Sequence, residues 1–397
     1  MIQILHNARV VTPGATLESG WIAFENERIT DMGTARPPRG HIRNDLRGQW
    51  VLPGFVDIHA HGGIGYFAQS GEPGELAAIA GFHAQHGTTT IVLSVVADQF
   101  ERMQHAVTAI AESAVDPLSS IVGSHLEGPF LAPSKCGAIR TEALRSPDLL
   151  ELARLLEAGK GTVRQVTLAP ELPGAYELIE AVVRAGVVPA IGHSNADAET
   201  TRRAINLGCR LATHLFNAMS GLDHRSPGVA AVSLIASEVI SELILDGHHI
   251  DPEIARLAFA AAGPERIALV TDSMAAAGFA DGSYRLAGQQ ITVDRGSART
   301  ARGALAGSVL TMDAALRYAV NVLGLAVEKA SISAATTPAK AIGLAHQTGS
   351  LEVGLDADVV VLDFDLRVTA TYIRGTRALP PIERRREQFT NTAVART

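Results

Sequence analysis

A (β/α)8 barrel of the TIM type, joined to a small β-sandwich domain built from both chain ends, is the α/β fold class this sequence predicts. Three observations predict it. Apolar, strand-like runs alternate eight times with segments of helical period between Val51 and about Gly343. Those runs end near His61, Ser94, Glu127, Ala169, His193, His214, Asp246 and Asp272, so chemically loaded residues sit where such barrels keep their catalytic groups. Strand-like text at the two ends of the chain lies outside the alternation and calls for a sheet of its own.

The elements follow in order. Residues 4–11 and 21–29 read as short strands, bounded by Pro13-Gly14 and Glu25-Asn26. Residues 1–50 therefore form the first part of the small domain. The barrel takes residues 51–344, longer than the ~250 typical of the fold, so insertions are expected. Its first strand reads as one run from Val51 to His61. Residues 76–86, 100–113, 149–158, 175–185 and 198–207 have helical period, as do residues 331–344. Residues 350–354 and 358–363 return to strand-like text, placing the second part of the small domain at 345–378. Residues 379–397, with Arg384-Arg385-Arg386, read as a solvated tail.

Composition limits the functions to consider. Of 397 residues, 47% are apolar and 19% charged, enough to bury a sizeable core. A net charge of −7 argues against nucleic acid or an acidic membrane as partner. Two cysteines, Cys136 and Cys209, suggest no disulfide framework. Neither a leader pattern nor a run of ~18 apolar residues is evident, so a soluble cytoplasmic protein is expected.

The loaded strand ends carry the chemistry. His59 and His61 are two apart, and on a strand residues i and i+2 project to one face. Both imidazoles can therefore reach one ion. Glu127 closes Gly123–Glu127, with His125 on its face by the same period. His193 follows Ala190-Ile191-Gly192, His214 follows Ala212-Thr213, and Asp272 follows Ile267–Thr271. Singly, each has an ordinary reading as a hydrogen-bonded strand-end residue or a helix cap. Together, His59, His61, Glu127, His193, His214 and Asp272 are metal ligands by type, suited to zinc and related divalent ions. Such an ion acidifies water and polarises a carbonyl.

Here the sequence resembles the amidohydrolase superfamily, through Pro53–Gly62, the histidines of strands five and six and the aspartate of strand eight. Within it, six blocks resemble the N-acetylglucosamine-6-phosphate deacetylases. They are His125–Phe130, Gly192-His193-Ser194, Thr213–Met219, Asp246–His249, Val270-Thr271-Asp272 and Leu305–Ser308. The resemblance implies a divalent metal, zinc first and then iron, cobalt or manganese, with one or two ions per subunit. Glu127, His193 and His214 would hold one. His59 and His61 would hold a second, with Glu127 able to bridge. Asp272 would be general base and then acid, and His249 would steady the amide carbonyl, with Asp246 beside it in the substrate site. Asn217, Ala218 and Arg225 would contact a phosphate, Arg225 reaching across a homodimer interface. Ala138, Ile139, Leu305, Ala306 and Gly307 would line the sugar site. The implied reaction is deacetylation of N-acetylglucosamine 6-phosphate.

Several alternatives stay open. Arg225 also reads as a solvated charge in its loop. Ile139 stands where the family commonly has a substrate-contacting histidine, so either Arg140 replaces it or the preferred sugar differs. The same deacetylation of N-acetylgalactosamine 6-phosphate, or a cyclic-amide hydrolysis, is the alternative. A non-catalytic scaffold should have lost ligands, and none is lost here. Cys136 reads either as a lid residue or as an incidental free thiol, and Cys209 as core.

Overall fold

The computed structural model describes residues 1–39, 42–116, 119–286, 289–301, 303 and 305–378. The tail expected at 379–397 lies outside them. Eight strands run parallel in one sheet: β1 (Phe55–Ala60), β2 (Thr88–Val96), β3 (Ile121–Glu127), β4 (Val163–Leu168), β5 (Val188–Ile191), β6 (Leu211–Ala212), β7 (Ile240–Leu243) and β8 (Ile267–Leu269). Each pairs with its neighbours in chain order, and nearly all their residues are buried, as expected of strands covered on both faces. The sheet curls into a barrel. Its seam closes just past β8, where Ala60 bridges Ser273 and the Asp272 amide donates to the His59 carbonyl at 2.8 Å.

Helices cover the outside. Pro73–Gln85, Phe100–Ala114, Leu149–Ala158, Ala175–Arg184 and Ala198–Leu207 match the five expected between the early strands. Aspartates fix several of the starts: Asp148, Asp197 and Asp251 each accept backbone N–H groups of the following first turn. Residues 331–344 are helical as expected, but the turn Ile332–Thr336 is a π-helix.

The small domain is a second sheet built from both chain ends. Gln3–Val11, Thr16–Glu25, Arg28–Gly33, Ile42–Asp45 and Trp50–Pro53 come from the front, and Val359–Leu362, Val368–Ile373 and Thr376–Arg377 from the back. Val359–Leu362 lies antiparallel to Trp50–Pro53, which ties the two ends together. Leu5, Ile22, Phe24, Val359, Val361 and Tyr372 form its own core, separate from that of the barrel.

Two features differ from the reading of the sequence. The run from Val51 to His61 is two strands, divided at Gly54 between the small sheet and the barrel. A Cβ on Gly54 would lie 2.2 Å from Thr89 Oγ1, so the crossing point has no room for a side chain. The second feature is an antiparallel meander after β8, Gly282–Leu286, Gln289–Asp294 and Ser297–Thr300. Its Ile291, Val293 and Ala298 pack on Met274, Ala275 and Ala276. The meander carries the chain back over the barrel mouth to Leu305–Gly307.

Candidate active site

Six side chains gather at the C-terminal end of the barrel, in two groups. His59, His61 and Asp272 form one; Glu127, His193 and His214 form the other. Period 2 on β1 puts His59 and His61 together, with their Nε2 atoms 3.2 Å apart. Glu127, the last residue of β3, stands between the groups. Its Oε1 lies 3.1 Å from His193 Nε2 and 3.2 Å from His214 Nε2, and its Oε2 lies 3.1 Å from His61 Nε2. Asp272 Oδ1 is 3.3 Å from His61 Nε2 and 3.6 Å from His59 Nε2.

The backbone is bent to achieve this. His193, His214 and Asp272 have φ of 47°, 32° and 47°, in the left-handed region that non-glycine residues rarely occupy. Each such residue costs on the order of 1–3 kcal/mol, a strain that collects at functional sites. The turn after each strand end swings the side chain inward over the barrel.

The set fits a cation. His193 Nδ1–H donates to the Lys135 carbonyl at 2.8 Å, and a carbonyl can only accept. The neutral ring therefore presents a lone pair at Nε2. That lone pair sits 3.0 Å from His214 Nε2 and beside the Glu127 carboxylate. Acceptors crowded this closely need a positive charge among them. His59 repeats the pattern: its Nδ1–H donates at 2.9 Å to the buried Glu242 carboxylate, leaving Nε2 for the site. Burial pulls the His59 and His61 imidazoles down. Neighbouring carboxylates more than offset this and raise them to about 9 and about 10, those of Glu242, Glu127 and Asp272 for His59 and those of Asp272 and Glu127 for His61. Burial pushes Asp272 up, and the His59 and His61 imidazoles bring its carboxyl below the usual range.

A cavity of about 1370 Å3 opens above the ligands. His249 lines it. Its Nδ1–H is held at 2.6 Å by Asp246, which also accepts the backbone N–H groups of His248 and His249. Burial lowers the His249 pKa, and the Asp246 contact reverses this and raises it. Asp246 itself stands behind His249 and does not line the cavity. Asn217, Ala218, Ala138, Ile139, Leu305, Ala306 and Gly307 all do. A Cβ on Gly307, φ 65°, would lie 2.8 Å from the Asp272 carbonyl, so only glycine lets this strap rest on Asp272.

Other expected residues fall elsewhere. Arg225 is exposed on its loop and does not line its own chain's cavity. His125 is buried, but both ring nitrogens are taken by hydroxyls, Ser94 at 2.9 Å and Thr167 at 2.8 Å. Arg140 lines the cavity and donates to Asp98 at 3.2 Å. Cys136 is half-buried in the loop below it, and Cys209 is core.

Three supporting residues went unread in the sequence. Glu242, on β7, accepts from His59, from the His214 amide at 3.2 Å and from Gln165 at 3.1 Å. Gln165, on β4, also donates to the Ile58 carbonyl. Asp57 accepts the Thr271 hydroxyl at 2.6 Å, locking the β1 and β8 ends together. A carboxylate or amide inside an otherwise apolar strand is the signal that could have found them, because burial without partners is costly.

Comparison with known proteins places these features. Residues 50–393 match the amidohydrolase family. The chain is 35% identical over 381 residues to an N-acetylgalactosamine-6-phosphate deacetylase of Escherichia coli O157:H7, covering 95% of this chain and 100% of the relative. It is 31% identical to an N-acetylglucosamine-6-phosphate deacetylase of Bacillus subtilis, covering 94% of this chain and 96% of the other. An N-acetyl-D-glucosamine-6-phosphate deacetylase variant of Mycobacterium smegmatis, solved with N-acetyl-D-glucosamine-6-phosphate, superposes with a TM-score of 0.90 at 41% identity. The match covers 95% of this chain and 99% of that one.

Proposed function

The chain belongs to the amidohydrolase family, and on that premise we propose that it hydrolyses the acetamide of N-acetyl-D-glucosamine 6-phosphate to glucosamine 6-phosphate and acetate. One observation carries the reading. Two complete ligand groups, Asp272 and a carboxylate-backed His249 converge on one cavity, in a chain 41% identical to an enzyme solved with that sugar phosphate.

The residues divide the work. Glu127, His193 and His214 would hold one divalent ion, and His59, His61 and Asp272 are arranged for a second. We take zinc as the first choice, ahead of iron, cobalt and manganese, because the ligands are imidazole and carboxylate. When bound, such an ion supplies an acidified water and a Lewis acid for the carbonyl. Asp272 accepts a proton from the attacking water and returns it to the leaving amine as the C–N bond breaks. His249, with Nδ1 fixed by Asp246, offers Nε2–H to the acetyl oxygen, where negative charge develops. The Leu305–Gly307 strap and Ala138-Ile139 border the sugar.

The phosphate goes to Asn217 and Ala218. We also propose that Arg225 serves a partner's site in a homodimer, which agrees with its exposure and its distance from its own cavity. Mixing Arg225→Ala with Asp272→Asn chains tests this. With subunit exchange shown by tagged pull-down, activity should return to roughly half that of a wild-type dimer; no return means that Arg225 does not act in trans. No helix of the described residues is long and apolar enough to cross a membrane, and a phosphosugar substrate agrees with a cytoplasmic location.

N-acetylgalactosamine 6-phosphate is the second reading, favoured by the E. coli relative and by Ile139 lining the cavity. A hydrolysis panel of the 6-phosphates of N-acetylglucosamine, N-acetylgalactosamine and N-acetylmannosamine, with free N-acetylglucosamine, separates them. The first should lead, and should exceed the free sugar in kcat/KM by ~10² or more. Equal efficiency with and without phosphate would sink the phosphosugar assignment.

A further inference from the structure

Three cations outside the ligand groups line the cavity, and they differ in what faces them. Arg102 and Arg140 both face the Asp98 carboxylate, at 3.6 and 3.2 Å. Lys135 has no carboxylate partner among the described residues. Its Nζ donates to the Met219 carbonyl at 3.1 Å, which leaves two of the three ammonium donors for other acceptors.

Met219 follows Ala218, and the backbone there has an unusual pattern. His214, Phe216 and Ala218 have positive φ, at 32°, 75° and 48°, whereas Leu215 and Asn217 between them do not. Most N–H groups here are spent inside the protein, those of His214 and Leu215 on Glu242, Phe216 on the Met219 sulfur and Asn217 on the His214 carbonyl, whereas that of Ala218, which lines the cavity, has no partner among the described residues. The loop carrying Lys135 lies directly over it: a Cβ on Gly137 would be 3.5 Å from His193 Cε1 and 3.8 Å from Ala218 Cβ.

We infer that Lys135 is the in-chain cation that recognises the substrate's phosphate, and that it couples phosphate binding to the His193 ligand. The inference rests on the phosphosugar reading and adds a residue to it. The ammonium is held at the Met219 carbonyl, one residue past Ala218, whose N–H is where a phosphate oxygen would dock. The same residue's carbonyl accepts the His193 Nδ1–H and so fixes which nitrogen faces the site. A phosphate pinning the Lys135 side chain therefore also steadies the loop that orients a ligand.

The test uses metal-loaded full-length enzyme. Lys135→Met removes the ammonium and keeps the carbonyl. The ratio of kcat/KM for N-acetylglucosamine 6-phosphate to that for free N-acetylglucosamine should fall by ~10-fold or more, the loss of one charge-assisted hydrogen bond. Lys135→Arg should keep more of the ratio, and metal content should match wild type. If wild type prefers the phosphorylated sugar and Lys135→Met keeps that preference, or if both substrates slow equally, the inference is wrong. A wild type without the preference overturns the phosphosugar reading, and this inference with it. Should the variant not fold, amine acylation of wild type followed by peptide mapping decides. Glucose 6-phosphate, which has no amine to consume the reagent, should protect Lys135 and glucose should not, with exposed Lys160 as the internal control; equal labelling in both overturns the inference.

Discussion

The two ligand groups face the same cavity, yet different things stand behind them. His193 leans on a backbone carbonyl, that of Lys135, and His214 Nδ1 is buried without a partner among the described residues. His59 leans on a buried carboxylate, Glu242, and His61 touches two more, Glu127 and Asp272. The first group holds its shape through strained backbone at both histidines, and the second shares that device at Asp272. The second holds it through charge, and its imidazoles keep protons to about 9 and about 10. Carboxylates against both imidazoles are what the second group adds. Glu127 belongs to both halves.

The largest effect should come from Glu127→Gln. Its oxygens reach both groups, Oε1 against His193 and His214 and Oε2 against His61, so metal analysis should show both ions lost and turnover should be undetectable. Retention of one full equivalent of metal would show that the groups are independent. Next, Asp272→Asn should lower kcat by at least ~10², with the thermal transition preserved and metal still held by Glu127, His193 and His214. Turnover near wild type would remove Asp272 from proton transfer. His59→Gln should cost less than His193→Gln, because the first group is complete without it. If His59→Gln is equally inactive while the other ion stays bound, the second group is as necessary as the first. The smallest effect is expected for Glu242→Gln, which leaves every ligand in place. Ion affinity should fall by ~10–100-fold, chiefly at His59 and His61, as is usual when a supporting carboxylate is lost. Titration with a competing chelator would measure it, and an unchanged affinity at that pair would show that Glu242 is not its support.

Much of this was legible in the sequence because the barrel is written in two simple periods. Strands end at or within two residues of His61, Glu127, His193 and His214 because the apolar runs stop where the barrel gives way to the polar site. What remained hidden has physical reasons. The division at Gly54 leaves apolar text on both sides, so no change of pattern marks it. In the meander, residues 290–294 alternate between exposed and buried, but so short a stretch among polar neighbours does not stand out as a strand. Glu242 and Gln165 look like defects in strands until their partners, far away in the chain, are in place. Left-handed backbone at His193, His214 and Asp272 is tolerated by those residue types but not announced by them.

The seam of the barrel has one more consequence. The last contacts to close the ring are also the ones that set the second ligand group: the Asp272 amide on the His59 carbonyl, the His61 amide on the Ser273 carbonyl, and Asp57 on Thr271. These contacts join the chain's first and last barrel strands, more than two hundred residues apart in sequence. The placement of Asp272 thus depends on a closed ring. A barrel parted at this edge alone, with its other seven strand contacts intact, would keep most of its helix signal in circular dichroism and lose its hydrolysis.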